Sequence, residues 1–261
     1  MDFRSRSPIF QAPVAGGITT PKLVSSVSNS ESVSSHFFLQ LRMLNLIKKW
    51  LIPLKRKNDE TLFRNPSVIW IHGANQSGLS FQYLRSLTRF KNELVVEYDT
   101  SNKFYKNLEI LSKEINQVKG PYFIIGHSLG GLYALHLTKH VDIAGAVSIS
   151  TPFAGSWTAD WARFFVPTYQ LFREVGRRST PIRESQDINL EVDWTQIVST
   201  KGNVPYHGGQ NDGVCTVKSM KSRKDMELIE VPHTHFEVMC SDLVAEIILN
   251  RYKKTCGQQT K

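Results

Sequence analysis

Cysteine is scarce in this chain. Only Cys215, Cys240 and Cys256 occur among 261 residues, an odd number crowded toward the C-terminus. That spacing offers neither a disulfide framework nor a zinc-ligand set, and it sets the expectation of reduced thiols in a cytosolic protein. Long apolar runs are missing as well. No stretch reaches the about 18 uninterrupted apolar residues that a membrane-crossing helix needs. The nearest, FFLQLRMLNLIKKWLIPL at 37–54, is interrupted by Arg42, Lys48 and Lys49. The opening MDFRSRSPIFQAPVAGG lacks the continuous apolar core of a secretory signal. No internal repeat is visible, which excludes a stacked-repeat architecture.

Charge is unevenly distributed. The net charge is +9, and residues 1–57 contribute nine Lys/Arg against Asp2 and Glu31, or +7 of that total. The remaining chain is therefore close to balanced. A nucleic-acid-binding domain usually carries its basic excess on the folded binding face, so no nucleic-acid partner is expected.

Residues 1–35 include VSSVSNSESVSS, which is rich in serine and poor in bulky apolar groups. Such a segment buries too little surface to offset its chain entropy, and it reads as a disordered tail. Residues 36–57 read as a basic amphipathic helix: Leu39, Met43, Leu44, Leu46, Ile47, Trp50 and Leu51 share one arc, opposite Arg42, Asn45 and Lys49, with Pro53 ending the run. Two roles remain open for it: packing on the domain that follows, or peripheral contact with anionic headgroups through residues 37–57.

From residue 61 short apolar strands alternate with helical stretches. Strands are expected at 67–73, 93–99, 122–126, 143–150, 194–200 and 226–232. Helices are expected at 80–90, 104–119, 130–140 and 240–254. This alternation predicts an α/β fold in three layers, a mainly parallel central sheet of about six strands with helices on both faces. Residues 58–254 form that domain, and 255–261 are expected to be a flexible terminus. Ligands in such folds bind at the carboxyl ends of the strands.

GHSLG at 126–130 satisfies G-x-S-x-G, with a strand before it and a helix after it. Ser128 would be the nucleophile, presented on a sharp turn at a helix N-terminus, where free N–H groups favour developing negative charge. A serine hydroxyl needs a base, and the base needs an orienting acid, in the order Ser, acid, His. Asp212 follows the strand at 194–200. Asp187 and Asp193 precede that strand, at the wrong end of the sheet, and Asp99 and Glu97 come before the serine. For the base, VPHTHFEVM offers His233 and His235, and His235 is preferred because Phe236 and the helix behind it would fix its loop. No further ligands at metal spacing accompany this H-x-H pair, so no metal is expected. Oxyanion donors are expected from the amides of Leu129 and, in HGAN after the first strand, of Ala74, with Asn75 as the alternative.

These residues together resemble the α/β-hydrolase superfamily, in particular its bacterial lipase-like branch, over roughly residues 62–252. HGAN is similar to the oxyanion loop, GHSLGG to the lipase form of the serine turn, and ISTPFAGS to the segment after the next strand. NDGVCTVKS and HTHF are similar to the acid and histidine loops. The resemblance implies a Ser–Asp–His triad and an acyl-enzyme mechanism with no cofactor. It departs from the family where Cys215 and Thr216 replace Val-Pro, where eleven residues (201–211) separate Asp212 from its strand, and where the family's first two strands find no counterpart.

Some 40 residues, 153–192, separate two of the strands and are rich in aromatics. In this fold they would form a cap, with Trp157, Trp161, Phe164 and Phe165 lining an acyl-chain pocket or building the cap's own core, and Tyr169 beside them. An apolar cap favours lipid-like esters. The expectation is a lipase or esterase, cytoplasmic, with peripheral membrane contact as the alternative placement. A thioesterase or acyltransferase would use the same residues, and a non-catalytic scaffold would need none of them.

Overall fold

The computed structural model describes residues 65–156, 159–160, 170–205 and 209–258. The expected tail (1–35), the basic helix (36–57) and the cap aromatics Trp157, Trp161, Phe164, Phe165 and Tyr169 lie outside the described residues. β1 (Ser67–Ile71) leads through a 3-10 turn (Gly78–Phe81) into α1 (Gln82–Thr88) and β2 (Glu93–Val96). α2 (Phe104–Ile115), β3 (Tyr122–His127), α3 (Leu129–Leu137) and β4 (Ile143–Ile149) follow. Then come α4 (Gln170–Glu174), α5 (Thr180–Gln186), β5 (Trp194–Ser199), α6 (Val217–Met220), β6 (Glu227–Val231) and α7 (Asp242–Gln258).

Among the described residues the sheet has six strands in the order β2-β1-β3-β4-β5-β6, and every pairing is parallel. The chain starts at the second position, steps outward to β2, then returns to β3 and continues toward the other edge. That reversal makes the carboxyl ends of β1 and β3 a topological switch point, the place where open α/β sheets bind ligands. Ile71 pairs with Gly126 at that end, so the loop after β1 lies beside the turn after β3.

The strand pattern explains the layers. Along β1, Ile69 and Ile71 face one apolar cluster, which includes Phe104, Leu108, Leu111 and Ile115 of α2 and most of α3. Val68 and Trp70 face the other, with Leu84 of α1 and Val244, Ala245 and Ile248 of α7. Alternate side chains thus feed opposite faces, and β3 is buried throughout because helices cover it on both sides. Each such fully buried large side chain contributes about 1.5–3 kcal/mol. β6, at an edge, exposes Glu227 and Glu230, charges of the kind that discourage strand addition by another chain.

Two differences from the sequence reading have local causes. The helix expected at 80–90 begins as a 3-10 turn. α7 runs on through Gln258 rather than ending at 254. Thr255 is buried there, and a Cβ placed on Gly145 would come within 2.7 Å of its Oγ1, so the helix end is pressed onto β4. Residues 255–258 therefore belong to the helix. Among the described residues no helix is long and apolar enough to cross a membrane.

Candidate active site

Between Tyr122 and Leu137 every residue is buried except Ser128, which is half-buried. Its backbone has φ 53° and ψ −118°, a conformation that costs a non-glycine residue energy and persists only where the surroundings impose it. The surroundings do so through glycine. A Cβ on Gly130 would lie 2.0 Å from the Ile71 carbonyl oxygen, and one on Gly126 2.6 Å from the Gly130 carbonyl. Strand, turn and helix therefore meet at a separation that only glycine permits. α3 begins at Leu129, directly behind the serine, so its unpaired N-terminal amides face the region of the hydroxyl.

The loop after β1 comes to the same place. A Cβ on Gly73 would sit 3.2 Å from Cβ of Ser128. The amide of Gly73 donates to Gln76 Oε1, that of Asn75 to Thr100 Oγ1, and that of Gln76 to the Gly73 carbonyl. Among the described residues the amide of Ala74 has no such acceptor. The alternative donor, Asn75, is thus already engaged, and Ala74 is the free N–H in this loop. His72 anchors it: the ring stacks on Tyr98 with centroids 4.3 Å apart, and the Tyr98 hydroxyl donates to the His72 carbonyl at 2.8 Å.

Asp212 and His235 are both buried and directly bonded, Nδ1 donating to Oδ2 at 2.7 Å. The amides of Val214 and Cys215 donate to the other carboxylate oxygen at 3.0 and 2.7 Å. Burial pushes the Asp212 pKa up, but the bonds from His235, Ser199 and the Cys215 amide outweigh it and hold the carboxyl below its ordinary range. The eleven-residue excursion before Asp212 is closed at its base: Gly202 pairs with Asn211, and the Asn211 side chain bonds Val204, Gly209 and Gly213. Asp212 thus returns to the end of β5 despite the long loop.

His127, immediately before the serine, ties these parts together. Its Nε2 lies 3.0 Å from the His235 carbonyl oxygen and its Nδ1 3.1 Å from Gln76 Oε1, and the two histidine rings are 4.9 Å apart. Burial, reinforced by the neighbouring His235, lowers the His127 pKa to about 3, so the ring is neutral. Ser128, the 73–76 loop and the Asp212–His235 pair therefore meet at the carboxyl edge of β1, β3 and β5. His233 is engaged elsewhere, 2.8 Å from Ser241 Oγ, and Asp193 pairs with Lys254 at the amino end of β5.

Phe236 departs from expectation. It does not bury itself behind the histidine; it is 44% exposed, with its ring edge-on to His235 at 5.3 Å. Val238 and Met239, two and three residues later, are buried instead and fix the loop. Val214, beside Asp212, is also exposed, so two apolar side chains adjoin the pair. Within the described part of residues 153–192, Gln186 donates to the Phe153 carbonyl and the Pro181 carbonyl is bonded to His136.

Asp212, Cys215 and His235 place potential metal-ligand atoms within 4.8 Å of one another. The donor chemistry does not suit an ion, since Nδ1 and Oδ2 are committed to each other and burial raises the Cys215 thiol pKa, keeping it protonated. Sequence reasoning missed Ser150 and Ser199, whose hydroxyls lie 2.6 Å apart, with Ser199 donating to Asp212 Oδ2 at 2.6 Å. The signal available was a hydroxyl residue at the end of β5 and another just past β4.

No protein-family model matches the sequence, and no curated protein matches it. Solved structures do resemble it. Phospholipase PlaB from Legionella pneumophila matches with TM-score 0.58 and 12% identity over 75% of this chain and 62% of its own. A gene product of Listeria innocua matches at 0.54 and 12%, over 73% and 94%. A lipase-esterase related protein from Clostridium acetobutylicum matches at 0.50 and 16%, over 72% and 94%. The chain has the α/β-hydrolase fold.

Proposed function

We propose that this protein is a serine-dependent hydrolase of carboxylic esters, with lipid-like acyl esters as its substrates. The observation that carries the reading is that Ser128, alone between Tyr122 and Leu137, is only half-buried, in a strained turn joined through His127 to a buried Asp212–His235 pair. Strain and exposure together are costly for a structural serine and useful for a nucleophile.

In this reading His235 Nδ1 is held protonated by Asp212, so Nε2 is the basic nitrogen. It takes the Ser128 proton as Oγ attacks the acyl carbon. The tetrahedral oxyanion is met by the amides of Leu129 and Ala74, one on the first turn of α3 and the other in the loop after β1. His235 then returns the proton to the departing alcohol, leaving an acyl-enzyme. Water activated by the same imidazole releases the acid. Neutral His127 keeps a second positive charge away from the imidazolium that forms. The exposed Phe236 and Val214 favour an apolar substrate, the class of substrate that the aromatic-rich segment 153–192 also favours by its composition.

The test is hydrolysis of p-nitrophenyl esters from C2 to C16 by the wild type and Ser128→Ala, with an acyl-CoA series alongside. Ester turnover that disappears in the variant supports the reading, and the chain-length optimum defines the substrate. Turnover of thioesters alone would reassign the site to a thioesterase, and no turnover of either series would favour a non-catalytic scaffold.

A further inference from the structure

We infer that Ser199 is a positioning residue for the Asp212–His235 pair, itself held by Ser150, so that hydroxyls from the ends of β5 and β4 converge on the carboxylate. This rests on the reading of Asp212 and His235 as acid and base.

All four groups are buried, Ser150 and Ser199 completely. A hydroxyl removed from water must find partners, and the proton count decides which. Ser199 has one proton and three acceptors in reach: Asp212 Oδ2 at 2.6 Å, Ser150 Oγ at 2.6 Å and the Met220 sulfur at 3.8 Å. The carboxylate, being charged, is the strongest acceptor of the three. The Ser199 oxygen is then left to accept, and Ser150, 2.6 Å away, is its donor. Ser150 is placed for this by its own backbone. Its φ is 53°, while its amide still donates to the Ile197 carbonyl at 2.9 Å, extending the β4–β5 contact one residue beyond β4.

The oxygen that receives Ser199 is the one that receives His235 Nδ1. Oδ1 is held by two amides. Four donors thus fix the carboxylate plane, and with it the plane of the imidazole. Without Ser199, Oδ2 keeps one donor. The carboxylate then binds a proton more readily and interacts more strongly with a positive imidazole, and both effects move loss of the neutral base to higher pH. The other titratable groups near the pair do not mimic this. Neutral His127 titrates at about 3, the Cys215 thiol is pushed upward by burial, and Glu237 is paired with Lys201 on the outside of the histidine loop.

The experiment measures kcat/KM against pH for a p-nitrophenyl ester with the full-length wild type, Ser199→Ala and Ser199→Thr, using Ser128→Ala as the zero. Ser199→Ala is expected to lose roughly tenfold at pH 7 and to shift the acid limb upward, with Thr restoring most of both. If Ser199→Ala fails to fold, Ser150→Ala supplies a smaller shift in the same direction. Ser128-dependent turnover with an unmoved acid limb in the folded variants overturns this inference alone. A wild type without Ser128-dependent turnover overturns the site reading and this inference with it.

Discussion

His235 and Asp212 are bonded twice. The imidazole Nδ1 donates to the carboxylate at 2.7 Å, and the main-chain amide of His235 donates to the main-chain carbonyl of Asp212 at 2.9 Å. The second bond fixes the two loops to each other independently of the side chains. The chemistry of the pair can therefore be altered without dismantling the loops.

Asp212→Asn uses that independence. The two amides on Oδ1 would claim the asparagine oxygen and turn its NH2 toward His235 Nδ1. The imidazole would then be forced into the tautomer with its proton on Nε2, which cannot act as base. The expected result is a loss of kcat of about a thousandfold or more, with little change in melting temperature. Near-normal turnover would show that another group orients the histidine.

His127 predicts a pH dependence of stability. Burial holds its folded pKa at about 3, against an ordinary 6.5. Below about 6.5 the unfolded chain binds a proton that the native state refuses. Its contribution is therefore complete above that pH and is lost as pH falls toward 3, at about 1.4 kcal/mol per unit. His127→Gln cannot titrate, so its unfolding free energy measured in urea should fall less between pH 6.5 and 5, by about 2 kcal/mol. Parallel curves for the two proteins would contradict the buried neutral ring.

Phe236, exposed and edge-on to His235, is expected to contact the apolar part of the substrate. Phe236→Ala should lower kcat/KM for a C12 ester about tenfold while leaving a C2 ester within about twofold. Equal losses on both esters would make the ring a support for His235 and not a substrate contact.

Much of this architecture was legible in the sequence because it is locally encoded. Each expected strand from 67 onward occurs within a few residues of its place, since apolar runs bounded by turn residues carry their own signature. The Ser128 turn was legible because its whole pattern, strand, G-x-S-x-G and helix, lies in one short stretch, even though the contact that requires Gly130 comes from Ile71. The Ser150–Ser199 contact was not, because it joins residues 49 positions apart, and neither residue looks unusual beside its neighbours. The long excursion before Asp212 made the acid look remote from β5, since the closing pair Gly202–Asn211 has no local pattern. Phe236 was misplaced for a related reason: an aromatic beside a helix usually packs inward, and here Val238 and Met239 fill that space.

The most direct test of the account is reaction of the full-length protein with a fluorophosphonate probe, followed by mass spectrometry of its peptides. One covalent adduct is expected, on Ser128, abolished by Ser128→Ala and slowed strongly by Asp212→Asn. Labelling of a different serine, or none in protein confirmed to be folded, would contradict the assignment of Ser128 as the nucleophile.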